Sequence, residues 1–61
     1  MTFDQWKARA IQALTTVTGW PEAEAAEYVR QSEGGWKVMF DDGLTPHEAA
    51  DEEYYAMQVS Q

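Results

Sequence analysis

Trp36-Lys37-Val38-Met39-Phe40 admits two readings, and the fold class follows from which one holds. Trp36, Val38 and Phe40 alternate as the residues of a half-buried strand do, and all three are strong strand formers. Trp36, Met39 and Phe40 equally make an i, i+3, i+4 cluster, which is the spacing of one helix face. A lone strand needs a partner for its backbone, and no second strand pattern occurs in the chain. The helical reading is therefore preferred, with Gly43 as its stop. The expected fold is all-α, a small bundle of three to four short helices. The alternative is an α+β fold with a short strand or hairpin at residues 36–40.

Working outward, Thr45-Pro46-His47-Glu48 carries a strong helix start. Thr45 is the cap, Pro46 the first helical residue and Glu48 the reciprocal partner of a capping box, with Leu44 at the staple position. On the helix that follows, Pro46, Ala50, Tyr54 and Met57 gather on one side, and Glu48, Asp51, Glu52 and Tyr55 on the other. Residues 58–61 are expected to fray. At the other end of the chain Thr2 and Gln5 form a second capping box, with Met1 and Trp6 placed as a staple. Phe3, Trp6, Ala10, Ala13, Leu14 and Val17 share a face, and Gly19 supplies a stop. A middle helix is expected to begin near Pro21, with Glu22 and Glu24 in its first turn and Ala25, Tyr28, Val29 and Ser32 on one face. Gly34-Gly35 is expected to end it. The expected core is Phe3, Trp6, Ala10, Leu14, Val17, Tyr28, Val29, Trp36, Phe40, Leu44, Ala50, Tyr54 and Met57.

Sixty-one residues are read as one small helical domain, residues 1–61. A chain this short buries about 60% of its unfolded surface, so the core is thin. With no cysteine there are neither disulfides nor thiolate metal ligands to reinforce it. Eight residues are aromatic, an economical way for a short chain to bury area. The N-terminus lacks the basic and apolar regions of a signal peptide, and no helix approaches the roughly 20 apolar residues of a membrane span. A cytoplasmic location is the expectation.

Charge is uneven. Eleven acids against four bases give −7. Residues 1–20 balance at +1 through Asp4, Lys7 and Arg9, and residues 21–61 at −8. Such a segment repels phosphate backbones, which argues against direct nucleic-acid binding.

Chemistry-bearing patterns are few. Asp41-Asp42-Gly43 lacks the alternating ligands of a calcium loop and reads as a turn. His47 and Asp51 are an i, i+4 pair, but a zinc site needs three or four ligands, and no Cys or second His exists to complete one. Ser32 and Ser60 lack histidine and acid companions for a triad, and Gly34-Gly35 lacks the lysine and flanks of a phosphate loop. No enzyme activity, cofactor or metal is expected. Tyr55 amid Glu48, Asp51 and Glu52, with Glu22, Glu24 and Glu27 of the middle helix extending the field, is the candidate partner-binding surface, since tyrosine is over-represented among binding hot spots. The competing reading is an acidic face that only keeps the chain in solution. The segment from Asp41 to Ala50, after its aromatic-rich stretch, resembles small uncharacterised proteins of phages and prophage-bearing bacteria. That resemblance implies a mobile-element accessory protein that binds a host component, and it transfers no site residues.

The function expected is a non-enzymatic interaction module whose acidic half engages a basic surface on another protein. A sharper form is a decoy that fills the nucleic-acid groove of a host enzyme. The alternative is a structural or self-assembling protein, a homodimer held by exposed aromatic surface such as Trp20, Trp36 and Lys37.

Overall fold

The computed structural model describes residues 1–59. Among them are four α-helices and no strand: α1 Phe3–Thr18, α2 Glu22–Gln31, α3 Glu33–Asp41 and α4 Pro46–Val59. The fold is all-α. Residues 36–40 are helical, and the strand alternative fails because a helix buries their largest ring at no cost in unpaired backbone. Trp36 is fully buried, while Val38, which a strand would place on the same side, is 59% exposed.

The helix ends obey local chemistry. Thr2 and Gln5 close a reciprocal capping box at α1, though Met1 stands 65% exposed and does little as a staple. Gly19 ends α1 at φ 78°, its N–H donating to the Thr15 carbonyl. At the end of α3 the N–H of Gly43 reaches Phe40 O and that of Leu44 reaches Met39 O. With Gly43 at φ 87°, this is a Schellman motif. Thr45 and Glu48 close the second box, each donating its backbone N–H to the other's side chain.

As expected, α2 begins beside Pro21, which is its N-cap, with Glu22 and Glu24 in the first turn. Two boundary expectations are corrected. Gly34-Gly35 does not end α2: both glycines lie in the first turn of α3, and α2 stops at Ser32. The Ser32 hydroxyl donates to Tyr28 O (2.6 Å) and accepts from Trp36 Nε1 (2.9 Å), so one side chain closes α2 and anchors α3. Gln58 and Val59 are helical, not frayed; the rest of that expectation, Ser60 and Gln61, lies outside the described residues.

α1 is the central helix, packed chiefly on α4 and also on α2 and α3. Its face of Trp6, Ala10 and Leu14 meets Ala25 and Val29 of α2, Trp36 of α3, and Ala49 and Ala50 of α4. Alanines at the contact let the α4 backbone come close, while the rings fill the wider end. There Trp6 lies edge-on to Trp36 (6.2 Å) and to Phe40 (5.6 Å), and Phe3 tilts against Phe40 (5.2 Å). Centroid spacings of this kind are the favoured aromatic geometry. Ala49 belongs to this core although the helical wheel omitted it. Tyr54 does not: it is half-buried on the flank of α4, outside the packed cluster. Among the described residues no buried side-chain N or O lacks a hydrogen-bond partner, and no helix is long and apolar enough to cross a membrane.

Candidate functional site

α4 carries Glu48, Asp51, Glu52 and Glu53 and no Lys or Arg. Glu48, Asp51, Glu52 and Tyr55 fall at i, i+3, i+4 and i+7, so they share a face, and all four are exposed. Tyr55 is 67% exposed. Val59, one turn further on, is 65% exposed and extends the same stripe.

The acids of this face are not equivalent. Glu48 is committed to the capping box, its carboxylate accepting from Thr45 N at 2.9 Å. Asp51 lies 3.5 Å from His47 Nε2. Glu52 has no ion pair or hydrogen bond among the described residues, which leaves it and Tyr55 as the free groups of the face.

Glu24 and Glu27 are exposed on α2, but among the described residues the backbones of α2 and α4 do not approach each other. Glu27 also forms an ion pair with Arg30. The α2 acids are thus a separate patch. What links the two helices is a bond from Tyr28 to Glu53, an acid that helical spacing did not single out. Tyr28 Oη donates to Glu53 Oε1 at 3.2 Å, and burial, reinforced by that carboxylate, pushes the Tyr28 phenol above its ordinary pKa. A contact 25 residues apart in sequence leaves no local signal.

The expected aromatic patch of Trp20, Trp36 and Lys37 is not present. Trp36 is buried in the core, and Trp20 is half-buried with its ring edge-on to Tyr28 at 5.5 Å. Lys37 instead pairs with Asp41 (2.9 Å) and sits near the rings of Phe3 and Phe40. Core demand explains this: in so thin a domain the large rings are used inside.

A second feature escaped the sequence reading. α1 and α2 diverge around an open groove of about 570 Å³, lined by Ala8, Arg9, Ile11, Gln12, Glu22, Ala23 and Ala26. Past the shared Ala8, Ile11 and Ala26 it continues between Lys7 and Glu33 toward Arg30. Gln12 hydrogen-bonds to Glu22 across its mouth. Lys7 pairs with Glu33 (3.0 Å) and Asp4 (3.5 Å). The Glu33 hydrogen bond raises its pKa, against the opposing effect of burial. The available signal was Ile11 with Ala8, a second apolar stripe on α1 three residues apart that lies off the face of Trp6, Ala10 and Leu14.

Among the described residues no three His, Asp or Glu side chains converge as a metal site. The chain matches no family model, no curated protein and no solved structure.

Proposed function

We propose that this chain is a non-enzymatic interaction module that presents the outer face of α4 to a basic surface on another protein, in the manner of a mobile-element accessory protein. One observation carries the reading: a 67% exposed tyrosine stands on the acidic face of a helix without Lys or Arg. An exposed ring beside the unpaired Glu52 carboxylate combines an apolar anchor with charge that steers a cationic partner. Long-range attraction from a −7 chain speeds encounter and makes binding fall with salt.

The test is capture of partners from host lysate on tagged protein, eluted by rising salt, with variants as controls. Glu48 is left intact because reversing it would open the α4 cap. A basic protein released as salt rises, and lost at least tenfold in Glu52→Lys and Tyr55→Ala, supports the proposal. Capture unchanged by both substitutions rejects it.

A further inference from the structure

Two surfaces stay uncovered once the core is closed, and each has what the other lacks. The α1–α2 groove has a floor of small side chains, Ala8, Ala23 and Ala26, beside Ile11. It is also the least acidic part of the molecule. Lys7, Arg9 and Arg30 line it and its extension, balanced by Asp4, Glu22 and Glu33. The other eight acids of the chain are offset by Lys37 alone. On the rim, Arg9 is the one Lys or Arg without an ion pair among the described residues.

The α4 stripe is the complement. Glu48, Glu52, Tyr55 and Val59 recur at i, i+4, i+7 and i+11, the spacing by which an amphipathic helix enters a groove. Tyr55 and Val59 are large and exposed, and Glu52 is an anion with no partner among the described residues.

We propose that the α4 stripe of one copy docks in the α1–α2 groove of a second copy, with Tyr55 over the alanine floor and the Glu52 carboxylate on the Arg9 guanidinium. Charge complementarity selects this occupant. A basic helix would bring like charge to Arg9, whereas α4 brings acids and no Lys or Arg. The contact joins two different patches, so it is heterologous, and each docked copy leaves one patch free for another.

Its strength follows from its size. A stable interface buries about 800 Å² on each partner, close to a fifth of this chain's 3965 Å². A groove floored by three alanines and one isoleucine covers less, so the association is a weak one. Two copies of net charge −7 also repel each other, and salt screens that repulsion over a Debye length of about 8 Å. Self-association therefore strengthens with salt, the opposite of binding to a basic partner, and the two compete for α4. The inference stands independently of the basic partner.

Sedimentation equilibrium of the full chain, from micromolar to millimolar concentration at low and high salt, tests it. The average mass is expected to rise with concentration above that of one chain, more so at high salt. Tyr55→Asp removes the stripe and Ala23→Glu blocks the groove; both positions are exposed, and retained helical circular dichroism checks their folding. Each variant alone is expected to stay monomeric. Their equimolar mixture is expected to associate into pairs and no further, because one keeps the stripe and the other the groove. As a second pair, Arg9→Glu weakens association at least fivefold and adding Glu52→Arg to it restores association. A monomer at every concentration overturns the proposal. So does association that both single variants retain, or a mixture that remains monomeric. A monomer that still captures a basic protein leaves the reading of α4 standing and removes only the docking.

Discussion

The indole Nε1 of Trp6 donates to the backbone carbonyl of Leu44 at 2.9 Å, across 38 residues of sequence. That bond ties the first turns of α1 to the residue just before the Thr45 cap of α4. Trp6 is 3% exposed and also touches Phe3, Trp36 and Phe40 through its ring. Trp6→Phe removes the donor, leaves a partly buried carbonyl unpaired and opens space beside three rings. Unmet hydrogen bonding costs about 1–3 kcal/mol, and lost core volume adds to it. A loss of about 3 kcal/mol in urea unfolding is expected, and a loss under about 1 kcal/mol would mean that Leu44 O finds another donor.

The glycines separate into two kinds, and substitution distinguishes them. Gly43 and Gly19 have φ of 87° and 78°, a region costly for a side chain. Gly34 and Gly35 are helical, with open space where a Cβ would stand. Glycine inside a helix costs roughly 0.8–1 kcal/mol relative to alanine. Gly34→Ala and Gly35→Ala should therefore each raise stability by about 0.5–1 kcal/mol, and Gly43→Ala should lower it by about 1 kcal/mol. Thermal unfolding of the three variants gives the signs directly.

That contrast also marks how far the sequence could be read. Gly43 was legible because a Schellman stop, a Thr-Pro start and a Glu three residues after the Thr all agree within a few positions. Gly34-Gly35 misled because a glycine pair is a generic breaker, whereas α2 stops at Ser32, whose hydroxyl donates to Tyr28 O and accepts from Trp36 Nε1. Periodicity found the inner faces of α1 and α2, since apolar spacing follows burial. It missed Ala49 and over-assigned Tyr54 because the α4 stripe is narrow and alanine reads as neutral. On the candidate surface, the shared face of Glu48, Asp51, Glu52 and Tyr55 follows from helical spacing alone. The bond of Tyr28 to Glu53 depends on which helices meet, which no local pattern encodes, and of the groove only the Ala8–Ile11 stripe on its α1 wall is local.

The two capping boxes have the same chemistry in different settings, so they should differ in worth. Thr45 starts a helix whose entry is held by the Trp6 bond to Leu44, whereas Thr2 lies next to the exposed Met1. Replacing a capping Thr with Ala costs about 1 kcal/mol when the helix end is otherwise fixed, and less where the end can fray. Thr45→Ala is expected to lose about 1 kcal/mol and Thr2→Ala less than half of that. Glu48→Gln should cost little more than the loss of charge at the helix start, because an amide oxygen still accepts from Thr45 N. Urea midpoints with an unchanged slope would establish the order.

Tyr28 gives the alkaline limb of stability. Burial raises its pKa above the ordinary 10.0, and Glu53 adds to the shift because its carboxylate repels a phenolate and accepts the phenol's hydrogen bond. The folded state then holds its proton at a pH where the unfolded chain has begun to release one. Stability from this group is complete below about pH 10 and is lost as pH rises through the folded pKa. Lys7 loses its charge in an overlapping window, since the Glu33 hydrogen bond raises it above 10.5. Tyr28→Phe should consequently reduce, without abolishing, the fall in urea midpoint between about pH 9 and about pH 11. A fall as steep in Tyr28→Phe as in the natural chain would assign the alkaline limb to Lys7 instead.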